Sequence, residues 1–96
     1  MRRKAEPIET VLSRTIERLR LSRRLREADA VRIFKEVVGA EIAQQAEAVK
    51  IVNGKLYVRV ESPTWRQELD YRKVEIAALL NQALGETVVS EVFFTG

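Results

Sequence analysis

The first stretch of the chain repeats its apolar residues with the spacing of an α-helix. Six positions share one face of that helix at i, i+3, i+4, i+7, i+8 and i+11: Ile8, Val11, Leu12, Thr15, Ile16 and Leu19. Pro7 suits the first turn, because proline has no N–H to donate there. Arginines stand on the other side, so we expect a helix that covers a sheet with its apolar stripe and meets water with its basic side.

A second helix is predicted over residues 27–38. Four apolar positions face inward from it: Val31, Phe34, Val37 and Val38. Gly39 follows as its C-terminal residue, since glycine adopts a positive φ without strain. Residues 21–26 are expected to form a connection or a frayed turn between the two helices, and residues 40–45 a short helical turn.

The residues around Asn53-Gly54 alternate as in a β-hairpin. This pair favours a two-residue type I′ turn, which fixes a register in which paired positions sum to 107. Two pairs are then expected to face the core: Ile51 with Leu56 and Val49 with Val58. Two pairs are expected to face the other way: Lys50 with Tyr57 and Ala48 with Arg59.

Ser62 and Pro63 mark the start of a third helix, since serine caps helix N-termini and proline suits the first turn. We predict one helix over residues 63–84, ended by Gly85. Its buried side is expected to hold five residues: Trp65, Leu69, Ile76, Leu80 and Ala83. Residues 87–94 are rich in β-branched and aromatic residues and are predicted to form a third strand.

These elements predict an α+β fold in the order α-α-β-β-α-β. Its three-stranded sheet, the hairpin plus the C-terminal strand, is packed under helices. Ninety-six residues, 46% of them hydrophobic, fit one domain with a core of its own. The domain is taken as residues 1–96, with residues 1–6 as a flexible basic N-terminus.

The composition indicates in which compartment of the cell the protein is found. There is no cysteine, and a domain that needs no disulfide is most simply placed in a reducing cytosol. No apolar h-region follows the basic start, and no window approaches a membrane span. We expect a soluble protein that stays in the cytoplasm. Contact of the first helix with a membrane surface is disfavoured, because its stripe is needed to cover the sheet.

The charge is unevenly distributed along the chain. Residues 1–35 hold eleven basic and five acidic residues, a balance of +6, and the net charge of +3 leaves −3 for the remainder. Clustered Lys and Arg gain by releasing counterions from phosphates, which favours a polyanionic partner for this third of the chain. The same pattern is also typical of a solvated helical surface.

The usual catalytic groups are missing. Without Cys or His there is no thiolate nucleophile, imidazole base or ordinary zinc site. The glycines, at 39, 54, 85 and 96, form no Gly-rich phosphate loop. The carboxylates of Glu27 and Asp29, and of Glu68 and Asp70, stand two residues apart on helices and point in different directions. We expect no enzyme, no cofactor, no metal and no small-molecule substrate.

Two basic surfaces remain as candidates for binding. The first lies on the first helix and the turn after it: Arg14, Arg18, Arg20, Arg23, Arg24 and Arg26. The second lies on the outer face of the hairpin: Lys50, Lys55, Tyr57 and Arg59. Cations beside an aromatic ring suit a phosphate backbone and a stacked base, but the outer side of any two-stranded ribbon has a similar composition. Trp65 is interpreted as a core anchor rather than a partner-binding residue.

Several short motifs follow one another in a recognisable order. They are Val37-Val38-Gly39, Asn53-Gly54-Lys55-Leu56, Ser62 through Trp65 to Glu68-Leu69, and Asn81. In this order, over residues 8–94, the chain resembles the DciA family of bacterial replicative-helicase loaders. The resemblance implies a KH-like fold, a role at the replication fork, DNA binding and assistance to the hexameric helicase. The Gly-x-x-Gly backbone clamp of KH domains is absent, so it is not carried over.

The main hypothesis is therefore a non-enzymatic, DNA-binding accessory of the replicative helicase. It would contact the phosphates of single-stranded or tailed DNA with little sequence specificity. Two alternatives stay open: a KH-like RNA-binding module, and a protein-interaction domain whose arginines meet an acidic partner. Longer family members continue into a polar tail. Helicase contact by the present chain is accordingly expected to come from the folded domain, to be weaker or to reside elsewhere.

Overall fold

The computed structural model describes residues 8–96, with side chains from residue 10 onward. The elements in chain order are α1 Ile8–Val38, α2 Ala40–Ala43, β1 Glu47–Val52, β2 Lys55–Arg59, α3 Pro63–Tyr71, α4 Lys73–Leu84 and β3 Glu91–Thr95. The predicted α+β class and three-stranded sheet are confirmed, with the element order α-α-β-β-α-α-β. The flexible N-terminus expected at residues 1–6 lies outside the described residues.

Helix α1 is continuous over Ile8–Val38, so the connection expected at residues 21–26 is wrong. Those six residues are two leucines, three arginines and one serine, with no glycine or proline among them. Leucine and arginine favour helix, and a helix that has already formed extends readily through such residues. Gly39, at φ 91°, follows the last helical residue, as predicted.

The hairpin turn has the predicted type. Asn53 and Gly54 adopt φ values of 50° and 81°, both positive as a type I′ turn requires. Three observed pairs follow the predicted register: Val52 with Lys55, Ile51 with Leu56 and Lys50 with Tyr57.

Beyond Lys50 the register shifts by one residue. A β-bulge at Val49 changes the remaining pairs, which become Ala48 with Val58 and Glu47 with Arg59. The predicted pairs of Val49 with Val58 and Ala48 with Arg59 are therefore wrong. Val49 is exposed and Ala48 packs against the core, because an inserted residue reverses the alternation.

The turn is tied to two distant parts of the chain. The Gly54 N–H donates to Oε2 of Glu27 in α1 at 3.1 Å. The Gly54 carbonyl accepts from the Ser90 hydroxyl at 3.1 Å and from the Ser90 N–H at 2.8 Å. A Cβ atom at Gly54 would lie 2.7 Å from the Ser90 Oγ, so this position requires glycine for its φ and for space.

The single helix predicted over residues 63–84 is two helices. It starts as expected, with the Ser62 hydroxyl accepting from the Trp65 N–H at 3.3 Å. Arg72, at φ −103° and ψ 7°, then separates α3 from α4. Helix α3 packs on β3, whereas α4 packs on both α1 and β3, so the two helices differ in their packing partners. Gly85 ends α4 at φ 77°, as predicted.

Strand β3 begins at Glu91, later than the predicted residue 87, and pairs with β2 in parallel. The preceding residues are held by the side chain of Asn81. Its Oδ1 accepts from the N–H groups of Val88 and Val89 at 2.9 and 2.8 Å. Its Nδ2 donates to the Val89 carbonyl at 2.8 Å. These bonds occupy backbone groups that a longer strand would use in its ladder, which explains the later start.

The core lies between the sheet and the helices on one side of it. It consists of Ala30, Phe34, Ala46, Leu56, Val58, Val60, Leu69, Ile76, Leu80, Val89 and Val92. The four inward residues predicted over residues 27–38 belong to it or pack against it, and so does Trp65. Ala83, predicted to be buried, is exposed, and Leu84 packs against the core instead.

Candidate nucleic-acid interface

The N-terminal half of α1 extends away from the rest of the domain. Residues 10–25, here named the projecting segment, are exposed except for the half-buried Ser22, and the molecule measures 70 × 22 × 18 Å. The prediction that the first apolar stripe covers the sheet is therefore wrong. The apolar face of this segment is thus not needed to cover the sheet, which was the reason for disfavouring its contact with a membrane surface.

Four arginines of the projecting segment form no ion pair with any residue that the structure describes. They are named the arginine collar: Arg18, Arg20, Arg23 and Arg24. They lie within about 9 Å along the helix axis. At about 100° per residue, Arg20, Arg23 and Arg24 fall within about 100° of one another, and Arg18 lies at least about 120° away from each of them. Positive charge is therefore present on two sides of the helix.

The two other predicted arginines of α1 flank the collar. Arg14 is exposed one turn before Arg18. The Nε of Arg26 pairs with Oε2 of Glu86 at 2.8 Å. This pair ties α1 to the loop after α4 and balances part of the Arg26 charge, so Arg26 is less available to a new anion than the collar is.

The outer face of the sheet carries the second predicted group. Lys50, Lys55, Tyr57 and Arg59 alternate with core residues along β1 and β2 and lie on the side away from the core. The Tyr57 ring stacks on the Phe93 ring of β3, with centroids 5.5 Å apart and planes at 22°. The Nζ of Lys50 lies over the Tyr57 ring, 5.4 Å from its centroid. Tyr57, Phe93 and Lys50 are named the aromatic platform.

Sequence reasoning missed Phe93, which is 39% exposed. The alternation of Val92 and Phe94 toward the core was the signal that could have placed it on the outer face. Its position beside Tyr57, however, depends on the parallel pairing of β2 with β3. No turn between these two strands fixes that register, so the stacked pair was not predictable from the chain alone.

The outer sheet face is only weakly positive. The Nη2 of Arg59 pairs with Oε2 of Glu47 at 2.7 Å. Lys55 lies opposite Glu91 in the parallel pairing. Because two of its three cations lie beside carboxylates, this face supplies aromatic surface more than it supplies charge.

Collar and platform adjoin at one place. Arg24 and Lys50 line a shallow depression of about 370 Å³ between α1 and β1, together with Glu27, Ala28, Val31 and Ile51. The two predicted basic surfaces, which are separate in the sequence, therefore each contribute one residue to this depression.

A larger cleft of about 640 Å³ was not predicted. Its lining combines Phe34 and Val31 of α1 with residues 43–48 and the end of β2. Its cations are Arg32, Lys35 and Arg59. Arg32 pairs with Asp29 at 3.2 Å and Arg59 with Glu47. Glu61 adds another carboxylate. Because the charges nearly balance, this cleft is a weaker site for a polyanion than the arginine collar.

The described residues offer little else to a ligand. Residues 10–96 contain no group of three or more Asp or Glu side chains placed to hold a metal ion. In the same part of the chain, every buried side-chain nitrogen or oxygen has a hydrogen-bond partner. No helix among the described residues is long and apolar enough to cross a membrane.

Fold and site together define a small α+β domain with a mixed three-stranded sheet, an exposed aromatic pair on that sheet and a projecting basic helix. Residues 7–94 match the family model described as "Dna[CI] antecedent, DciA". The chain belongs to this DciA family, which is associated with loading of the replicative helicase, and the resemblance drawn from the sequence is confirmed.

A curated relative is the UPF0232 protein of Corynebacterium glutamicum (strain R). It is 26% identical over 94 residues, which cover 98% of this chain and 53% of the relative. The chain thus spans about half the length of the curated relative it matches.

Proposed function

We propose that this protein is a non-enzymatic, DNA-binding accessory of the replicative helicase, working in the cytoplasm at the nucleoid without a cofactor. Membership of the DciA family supports the link to the helicase. The observation that carries the DNA-binding part is the junction at Arg24 and Lys50, where the arginine collar adjoins the aromatic platform. Residues 1–96 act as one domain in this proposal.

The arginine collar would supply most of the attraction to phosphates. A guanidinium that has no carboxylate partner can bind a phosphate without first breaking an ion pair. Arg26 and Arg59 would have to release Glu86 and Glu47 to do the same. Release of counterions from the nucleic acid then drives binding on all sequences alike.

The aromatic platform would select single strands. Bases stack on exposed aromatic rings regardless of sequence, and each such contact contributes about 1–3 kcal/mol. In a duplex the base faces are already stacked on one another and cannot reach Tyr57 or Phe93. A strand that follows the collar past Arg24 and Lys50 meets these rings next, so single-stranded or tailed DNA is the expected ligand.

Fluorescence anisotropy over a range of salt concentrations tests the proposal. Single-stranded, tailed and duplex DNA of equal length are titrated with the chain, with purified replicative helicase added or omitted. We expect the single-stranded and tailed forms to bind more tightly than the duplex, and the affinity to fall as salt rises. Helicase should join the complex formed on tailed DNA. Equal affinity for duplex and single strand would contradict the role of the platform.

Two further outcomes would favour other functions. A strong preference for single-stranded RNA over DNA of equal length would replace the proposal with a KH-like RNA-binding module. Capture of the helicase after nuclease treatment, combined with no measurable DNA affinity, would leave a protein-interaction domain whose arginines meet an acidic partner.

A further inference from the structure

The projecting segment exposes a continuous row of aliphatic side chains. Val11 is 47% exposed, Leu12 56%, Ile16 47% and Leu19 65%. These four residues, named the apolar stripe, fall within about 140° of the helix circumference at 3.6 residues per turn. Among residues 10–96, no element of the domain covers them.

A helix of this kind is stabilised mainly by packing of its apolar face, because short helices are marginal in water on propensity alone. In the other half of α1 the same side of the helix is buried. Ala30 and Phe34 lie in the core, and Ala30 is eleven residues, or about three turns, beyond Leu19. The apolar stripe therefore lies on the same side of α1 as this packing face, and the exposed Arg23 and Arg26 separate the two.

The charges around the stripe indicate what could cover it. Residues 10–25 contain five arginines and one glutamate, a net charge of +4. Glu17 lies about 160° around the helix from Leu19, on the far side from the stripe. Arg18 borders the stripe beside Val11, and Arg20 borders the opposite edge beside Ile16. Both flanks of the stripe are thus basic.

This charge pattern argues against a second copy of the chain as the occupant. Pairing two projecting segments would bring two segments of charge +4 together, with arginines facing arginines along both edges. Like charges at the flanks of a helix pair oppose association, whereas opposite charges set the choice of partner.

We propose that the projecting segment docks an acidic amphipathic helix of a partner protein. Apolar residues of that helix pack on Val11, Leu12, Ile16 and Leu19, and its flanking Asp and Glu residues pair with Arg18 and Arg20. This interaction leaves the aromatic platform free, but it uses Arg18 and Arg20 of the arginine collar, so the partner helix and DNA phosphates share these two side chains. The apolar stripe itself has no role in phosphate contact, and in this proposal it serves protein recognition.

A designed peptide tests this directly. The probe is a fluorescein-labelled synthetic helix of about 18 residues, or five turns, with leucines on one side and glutamates at both flanks. The matched probe carries lysines in place of the glutamates. Anisotropy titrations with the full chain should show binding of the acidic probe and little binding of the basic one. Hydrogen exchange of residues 10–25 should slow when the acidic probe is bound.

Three variants locate the contact. Leu12→Ser combined with Leu19→Ser should weaken binding of the acidic probe by at least about tenfold, as expected for loss of buried leucine contacts. Leu21→Ser is the matched control. Leu21 is 59% exposed on the same helix but lies about 160° from Leu19, so the affinity should stay within about twofold. Arg18→Glu combined with Arg20→Glu should abolish the preference for the acidic probe, because it changes the net charge of residues 10–25 from +4 to 0.

The folded body should tolerate all three variants, because these side chains project beyond it. Unchanged melting temperatures and unchanged single-stranded DNA affinity of the leucine variant would confirm that the stripe acts on its own. No binding of the acidic probe, or equal binding of both probes, would overturn the proposal. So would stripe-dependent dimerisation of the chain in analytical ultracentrifugation. Stripe-dependent binding to phosphatidylserine vesicles without peptide binding would overturn it as well.

Discussion

Replacing Asn81 with alanine should destabilise the domain, because this side chain joins α4 to the residues before β3. Its amide forms three hydrogen bonds of 2.8 to 2.9 Å with the backbones of Val88 and Val89. Val89 is 1% exposed, so water cannot reach its N–H and carbonyl once the amide is gone. Each buried backbone group left unsatisfied costs about 1–3 kcal/mol, and the better helix propensity of alanine offsets about 0.7 kcal/mol. We expect a net loss of about 2–5 kcal/mol in the free energy of unfolding.

Urea denaturation followed by the fluorescence of Trp65 measures this loss, since Trp65 is the single tryptophan and packs against the core. Gln82→Ala is the matched control, because Gln82 is the next residue of α4 and is exposed. Its effect should stay within about 0.5 kcal/mol. Asn81→Asp keeps the acceptor oxygens but loses the donor to Val89, so its loss should also exceed that of the control.

A loss below about 1 kcal/mol for Asn81→Ala, equal to that of Gln82→Ala, would refute this reasoning. The result also bears on function. Residues 88 and 89 lead into β3, and the position of β3 places Phe93 on Tyr57. A variant that stays folded but loses these bonds should bind single-stranded DNA more weakly.

Three further predictions concern the interface and the turn. Changing all four collar arginines to alanine should reduce the slope of log affinity against log salt for single strands by about 2.8, or about 0.7 per lost contact. The double variant Arg26→Ala with Arg59→Ala should change this slope by less than about 1. Equal slopes for the two variants would contradict the larger role given to the collar arginines. Phe93→Ser should lower single-strand affinity by about 5- to 100-fold in anisotropy while leaving duplex affinity unchanged; a parallel loss on duplex would refute stacking. Gly54→Ala should destabilise the domain in urea by more than about 2 kcal/mol, since a left-handed residue with a Cβ is strained and this Cβ would meet a serine oxygen. Gly85→Ala, where φ is also positive but no atom lies within 4 Å, is its control, and an equal loss would remove the steric part of the argument.

Features of the fold that depend on the conformation of one or two residues could be predicted from the sequence. Asn53 and Gly54 specify a turn that needs positive φ at both residues, and Ser62 specifies a cap for the helix that follows. Gly39 and Gly85 end helices because each adopts a positive φ. In each case one or two residues determine the backbone without help from distant parts of the chain.

Features that depend on packing between distant parts of the chain could not be predicted from the sequence. Nothing local stops a helix at residues 21–26, and nothing local breaks one at Arg72. The bulge at Val49 inserts a residue that looks like any other apolar strand residue. The helices on either side of Arg72 have different packing partners, and sequence periodicity carries no information about such partners.

The same division applies to the candidate site. The basic residues and Tyr57 could be chosen as candidates from their side-chain chemistry alone. Their role in binding stays a prediction. The sequence could not predict which of these residues lie near one another, because Arg24 and Lys50 line the same depression only when α1 lies against β1. Phe93 was omitted because its neighbour Tyr57 is reached through a parallel pairing. Ion pairs that distinguish Arg26 and Arg59 from the collar likewise join distant residues.

The bulge at Val49 has a consequence for behaviour at high concentration. Strand β1 is an edge of the sheet, and a regular edge offers unpaired N–H and carbonyl groups as a template for fibril growth. One inserted residue interrupts that template midway and increases the local twist. A stray strand from another molecule therefore finds no uninterrupted row along β1, which makes this edge a poorer template for aggregation.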